Sequence, residues 1–118
     1  SSQVPNLPSG SNALHTTYQV YSSTAIPIHE AISGFNDSIY VMLHSISEYP
    51  IMVQVFQSDG VSTPVLFKCL QVNKFGNHQN ILFNGHTMFA NQKLYIVLDN
   101  DSDRDKVFVT GYVKRFAI

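Results

Sequence analysis

Leu94-Tyr95-Ile96-Val97-Leu98, then Asp99-Asn100-Asp101-Ser102-Asp103-Arg104-Asp105, then Val107-Phe108-Val109-Thr110-Gly111-Tyr112-Val113: this stretch decides the fold class. β-branched and aromatic residues crowd both flanks, and the connection holds only turn formers and charge. That pattern predicts two antiparallel strands joined as a hairpin, within a segment running from Lys93 to Ile118. The apolar end Phe116-Ala117-Ile118 is expected to be tied into the sheet, because termini otherwise fray.

Working outward, similar runs recur at short spacing. Candidate strands are Leu14 to Ser22, Ala25 to Ile32, Ser38 to Ile46, Ile51 to Gln57, Pro64 to Val72, Asn80 to Phe83, His86 to Ala90, Lys93 to Leu98 and Lys106 to Phe116. Ser58-Asp59-Gly60 supplies a hairpin turn between two of them. Asn84-Gly85 punctuates another pair, and no stretch holds a helical period. The expected fold is an all-β, antiparallel, jelly-roll-like β-sandwich of about eight or nine strands. Ile39, Val41, Leu43, Val53, Val55, Ile96, Leu98, Val107 and Val109 fall on matching alternate positions and are the predicted core.

Residues 1–13 differ from the rest. Pro5, Pro8 and Gly10 interrupt any regular element, and Val4 and Leu7 are the bulky apolar groups. The segment is read as an extended arm that orders on a neighbouring subunit with those two residues as anchors, the β-sandwich domain occupying 14–118.

Composition excludes several function classes. At 118 residues the chain has the size of one domain with its own core. Only 13% of residues are charged, against about 25% in ordinary globular proteins, so the surface must be covered by Ser, Thr, Asn and Gln, or partly by another protein. The net charge of -1 argues against nucleic acid as a ligand. The sequence contains no apolar stretch of transmembrane length and no signal-peptide pattern, so no membrane contact is expected. Cys69, the one cysteine, sits in the apolar run 65–70 and reads as a small packed hydrophobe rather than a nucleophile.

Candidate chemistry is sparse. Asp99, Asp101, Asp103 and Asp105 resemble a calcium loop in their alternation, but Arg104 and Thr110 stand where an EF-hand needs Gly and Glu. They read first as a solvated tip and only weakly as metal ligands. His15, His29, His44, His78 and His86 read as isolated packing or loop residues, with no ligand spacing among them. No nucleophile elbow, phosphate loop or cofactor motif is present, and no catalytic residue is nominated. With no Trp, a sugar-stacking face would rest on Tyr18, Tyr21, Tyr49 or Tyr95. Tyr40, Met42, Phe108 and Tyr112 fall on the apparent outer face of the strands and are the candidate partner-binding residues, with Val4 and Leu7 of the arm.

The layout from Tyr18 onward resembles small all-β virion proteins of tailed bacteriophages, the capsid cement, head-decoration and related head-tail modules. The likeness rests on the central apolar strand Ile39 to Ile46, the alternating strand Met52 to Phe56, the late strand Lys93 to Leu98 and the terminal strand Val107 to Ile118. It implies a non-enzymatic structural protein, homo-oligomeric with a trimer favoured, that binds and stabilises a capsid through its partner, a major capsid or other virion protein. The implied location is the virion, assembled in the host cytoplasm. The alternative is a carbohydrate- or receptor-binding β-sandwich module.

Overall fold

The structure, a computed structural model, describes residues 7–9, 17–19, 27–76 and 80–118. The chain is all-β. Its strands are β1 (Thr17–Gln19), β2 (His29–Glu30), β3 (Phe35–Ser45), β4 (Ile51–Ser58), β5 (Val65–Val72), β6 (Asn80–Met88), β7 (Lys93–Leu98) and β8 (Val107–Ala117). Among the described residues the one helical element is a 3-10 turn, Asp101–Asp103, capped by the Asn100 side chain. The strands form two antiparallel sheets, ordered β1-β8-β3-β6 and β2-β7-β4-β5. Because β2 has only two residues, strands of three or more number seven among the described residues, four in one sheet and three in the other, fewer than the eight or nine expected.

The predicted C-terminal hairpin is not formed. β7 pairs with β4 and β2, whereas β8 pairs with β3 and β1 in the other sheet. The connection explains the difference. A two-residue turn forces its flanking strands to pair, but residues 99–106 fold into the 3-10 turn and are long enough to cross the roughly 10 Å between stacked sheets. The end of the chain is nonetheless tied in: Phe35 lies opposite Ala117, and Ile118 N–H donates to the Gly34 carbonyl at 3.0 Å.

Alternation in β3, β4, β7 and β8 builds the interior. All nine predicted core residues are buried, and they share one cluster with Ile51, Val72, Met88, Leu94 and Val113. Leu7 belongs to the same cluster and is 2% exposed. It therefore packs in the chain's own core, not on a neighbour as expected, while Val4 lies outside the described residues. Pro8 holds the segment in place, its carbonyl accepting from Val113 N–H at 3.0 Å beside a parallel bridge from Ser9 to Val113.

Asn84-Gly85 proves to be a bulge, not a turn between two strands. β6 is continuous, but its register against β3 slips between Ile39 and Tyr40, where Gly85 (φ +100°) is skipped. A left-handed glycine at that point is the usual device for such a slip. Gly111 serves a different need. A Cβ there would sit 2.5 Å from the Tyr40 backbone oxygen, inside the longest strand pairing of the fold. Gly111→Ala should thus destabilise the protein by about 1–3 kcal/mol, the range for overpacking. Thermal unfolding followed by circular dichroism checks this, and an unchanged midpoint would show that β3 and β8 separate freely.

One polar group of three spans the interior. Asp37 shares the inward row of β3 and is fully buried. Its register partner on β8, Arg115, donates to it twice, from Nε at 2.9 Å and from Nη2 at 3.2 Å. His29 on β2 approaches from the other sheet, its Nε2 2.7 Å from Asp37 Oδ2. The remaining ring nitrogen, Nδ1, accepts the Leu7 backbone N–H at 3.1 Å. Nδ1 must then carry the lone pair, which puts the ring proton on Nε2, facing the carboxylate. His29, read from sequence as isolated, is instead the tie between the sheets and the N-terminal segment.

Candidate functional site

A run of consecutive exposed apolar residues lies along β5. Among the described residues this strand pairs only with β4 and closes its sheet as an edge. Of its eight residues only Val72 is buried; Val65, Leu66 and Phe67 are 69%, 50% and 46% exposed. Edge strands are normally blunted by charge, proline or bulges on the open side. β5 carries a single charge, Lys68, no proline, and one slip in its pairing with β4. No described strand pairs along its outer hydrogen-bonding row.

The neighbouring edge, β6, extends this apolar surface. The Phe67 ring lies 5.9 Å from Phe83 and 5.1 Å from His86, and the Phe83 and His86 rings stack at 4.5 Å. Lys68 reaches over Phe83, its ammonium 5.5 Å from the ring centre. Burial, assisted by the nearby Lys68 charge, holds the His86 imidazole below its ordinary value, so the cluster is uncharged on that ring at neutral pH. Gln57 caps the same imidazole at 3.1 Å. Cys69 lies in the middle of β5 and is exposed, contrary to its reading as a packed hydrophobe. The run 65–70 looks central by composition, but its edge position removes the covering layer.

The predicted outer-face residues Tyr40, Met42, Phe108 and Tyr112 are all half-buried on the β3–β8 surface. Tyr40 and Tyr112 stack face to face, 4.9 Å between centres and 9° between planes, with the Lys114 ammonium 5.1 Å from the Tyr40 ring. Beside them is a depression of about 160 Å³ bordered by Met42, Ile81, Asn84 and Thr110. Phe83 borders it too, so the surface continues to the β5–β6 edge.

The acidic connection is built differently from a metal loop. Asp103 is buried and accepts the Tyr49 hydroxyl at 2.6 Å, while Lys106 Nζ donates to that same oxygen at 2.7 Å. The Tyr49 contact, with Asp103 nearby, holds the Lys106 ammonium above its ordinary value. Asp99 accepts from Gln54 Nε2 at 3.2 Å. The four aspartates are thus distributed around a tied turn, and no group of three His, Cys, Asp or Glu converges on a point among the described residues.

Of the tyrosines proposed for sugar stacking, Tyr95 is buried at 8% exposure and Tyr49 is engaged with Asp103 and Lys106. Tyr21 and the Tyr18 side chain lie outside the described residues, as do His15 and His78. No described helix is long and apolar enough to cross a membrane. The comparisons with protein-family models, curated proteins and solved structures returned no match.

Proposed function

We propose that the chain is a jelly-roll β-sandwich that serves as a non-enzymatic structural subunit of a phage virion, self-associating and stabilising a capsid. Its pairing scheme supports the jelly roll. Antiparallel pairs β1·β8, β2·β7, β3·β6 and β4·β5 nest like a single long hairpin, and β3·β8 and β4·β7 contacts roll that hairpin into two sheets. This is the strand order of an eight-stranded jelly roll, an architecture shared by capsid and lectin domains.

The observation that carries the structural role is the uncovered apolar edge of β5. Strand addition to such an edge satisfies backbone groups and buries side chains in one step. A second copy or a capsid protein fits this need better than a small ligand. The depression beside Tyr40 and Tyr112 gives the carbohydrate- or receptor-binding alternative a foothold, yet about 160 Å³ is small beside the 300–1,000 Å³ of ordinary ligand pockets.

Mass spectrometry of purified particles from the source tests the role directly. The chain should appear at fixed stoichiometry with a major capsid protein, and its absence from particles would end the proposal. Light scattering tests assembly of the free protein. The trimer requires β5 to meet a different surface of the next subunit, giving three times the 13.2 kDa chain mass, whereas β5 meeting β5 closes a dimer.

A further inference from the structure

We propose that the Leu7–Ser9 segment is an acid-released latch, held shut by neutral His29 and freed when that imidazole takes up a second ring proton. Among the described residues the latch has three holds. Leu7 is seated in the core, Pro8 and Ser9 are fastened to Val113, and the Leu7 N–H is accepted by His29 Nδ1. That last contact exists only while Nδ1 has its lone pair. Protonation places two N–H donors face to face at 3.1 Å in a site where His29 is 0% exposed. The Leu7 amide is then both repelled and left without an acceptor, which is costly for a buried donor.

The imidazole cannot escape the conflict by giving up its other partner. Nε2 is held by Asp37, and Asp37 is fixed in turn by Arg115 on the opposite strand. The charged groups facing His29 are Asp37 from β3, Arg115 from β8 and Glu30 beside it on β2, the last opposite Lys93 of β7. Asp37 and Glu30 favour the protonated ring; burial first, and then the Arg115 cation, oppose it, and the balance puts His29 below its ordinary value of 6.5. The sign follows. A base whose folded pKa is depressed keeps its contribution above 6.5 and loses it as pH falls below that value. The sheets themselves survive this step, because the Asp37–Arg115 pair persists until the carboxylate titrates, from 3.8 downward. Acid thus frees the N-terminal segment and opens an apolar slot in a folded body, whether or not the chain is a virion subunit.

Nuclear magnetic resonance on the full chain tests this between pH 7.5 and 4.5. At pH 7.5 the ring nitrogen shifts of His29 should report an unprotonated Nδ1. Below 6.5 the protection of the Leu7 amide against hydrogen exchange, corrected for intrinsic rates, should fall by up to tenfold per pH unit, the slope for one proton. Amides of β3, and of β8 apart from Val113, whose N–H goes to Pro8, should keep their protection over the same range. His29→Gln, whose amide oxygen can take the Leu7 N–H and whose amino group can reach Asp37, should hold the segment at every pH. Flat Leu7 protection in the unaltered chain overturns the latch. So does loss of Leu7 protection in step with β3 and β8, which would mean global unfolding. If the glutamine variant fails to fold, these two readings on the unaltered chain still decide.

Discussion

Asp37→Ala should be the most damaging single substitution in the molecule, lowering stability by about 3–5 kcal/mol, the range for breaking a buried ion pair from one side. The carboxylate is fully buried and accepts three hydrogen bonds, two from Arg115 and one from His29. Removing it strands the His29 ring proton inside the core and leaves the Arg115 guanidinium, whose side chain is 25% exposed, without its anion. Arg115 can turn partly toward water; His29 cannot. Urea unfolding should show a large drop in midpoint with an unchanged slope. Asp37→Asn, which retains one acceptor oxygen, should lose less. A loss below about 1 kcal/mol for the alanine variant would show that the pair contributes only as much as an exposed one.

The same carboxylate sets a second acid limit. Burial alone would raise the Asp37 pKa, but the hydrogen bonds from Arg115 and His29 outweigh it and hold the group below its ordinary 3.8. Its contribution is therefore complete above 3.8 and is lost as pH falls from there. Unfolding in acid and release of the N-terminal segment should occur in separate pH ranges.

None of this was visible in the sequence, and the reason is physical. Leu7, His29, Asp37 and Arg115 come together only through sheet pairing and the contact between sheets, and no local period or motif connects them. What sequence does encode is side-chain direction. The strict alternation Ile39-Val41-Leu43 and Val53-Val55 placed those residues correctly in the interior, because burial of alternate residues is a property of one strand by itself. Partner choice is not. Two adjacent apolar runs, β7 and β8, looked like a hairpin because local order says nothing about which sheet each run joins. Edge position is equally silent: β5 is as apolar as a central strand, so Cys69 was read as covered when it is exposed. For the same reason the candidate interaction site was only half legible. Alternation places Tyr40, Met42, Phe108 and Tyr112 on the outer face, whereas no sequence pattern singles out Val65, Leu66 and Phe67 as exposed.

That open edge yields the second large expected effect. Val65→Lys combined with Leu66→Lys should weaken self-association by about thirtyfold or more while leaving the fold intact. Both side chains are at least half exposed in the single chain, so their replacement should change its stability by no more than about 0.5 kcal/mol each, as at other surface sites. In an assembly the balance differs. Full burial of such an aliphatic side chain contributes about 1.5–3 kcal/mol relative to exposure, and Val65 and Leu66 are 69% and 50% exposed, so each has at least roughly 1 kcal/mol left to gain. Losing both weakens association by about thirtyfold. Two added ammonium groups beside Lys68 raise the effect further, through desolvation and mutual repulsion across the contact, which is how natural sheets keep edges apart. Sedimentation of the unaltered and doubly substituted chains at matched concentrations measures the difference, and circular dichroism verifies the fold. If the lysine pair leaves the assembly state unchanged, β5 is not the contact, and the outer face around Tyr40 and Tyr112 becomes the surface to alter next.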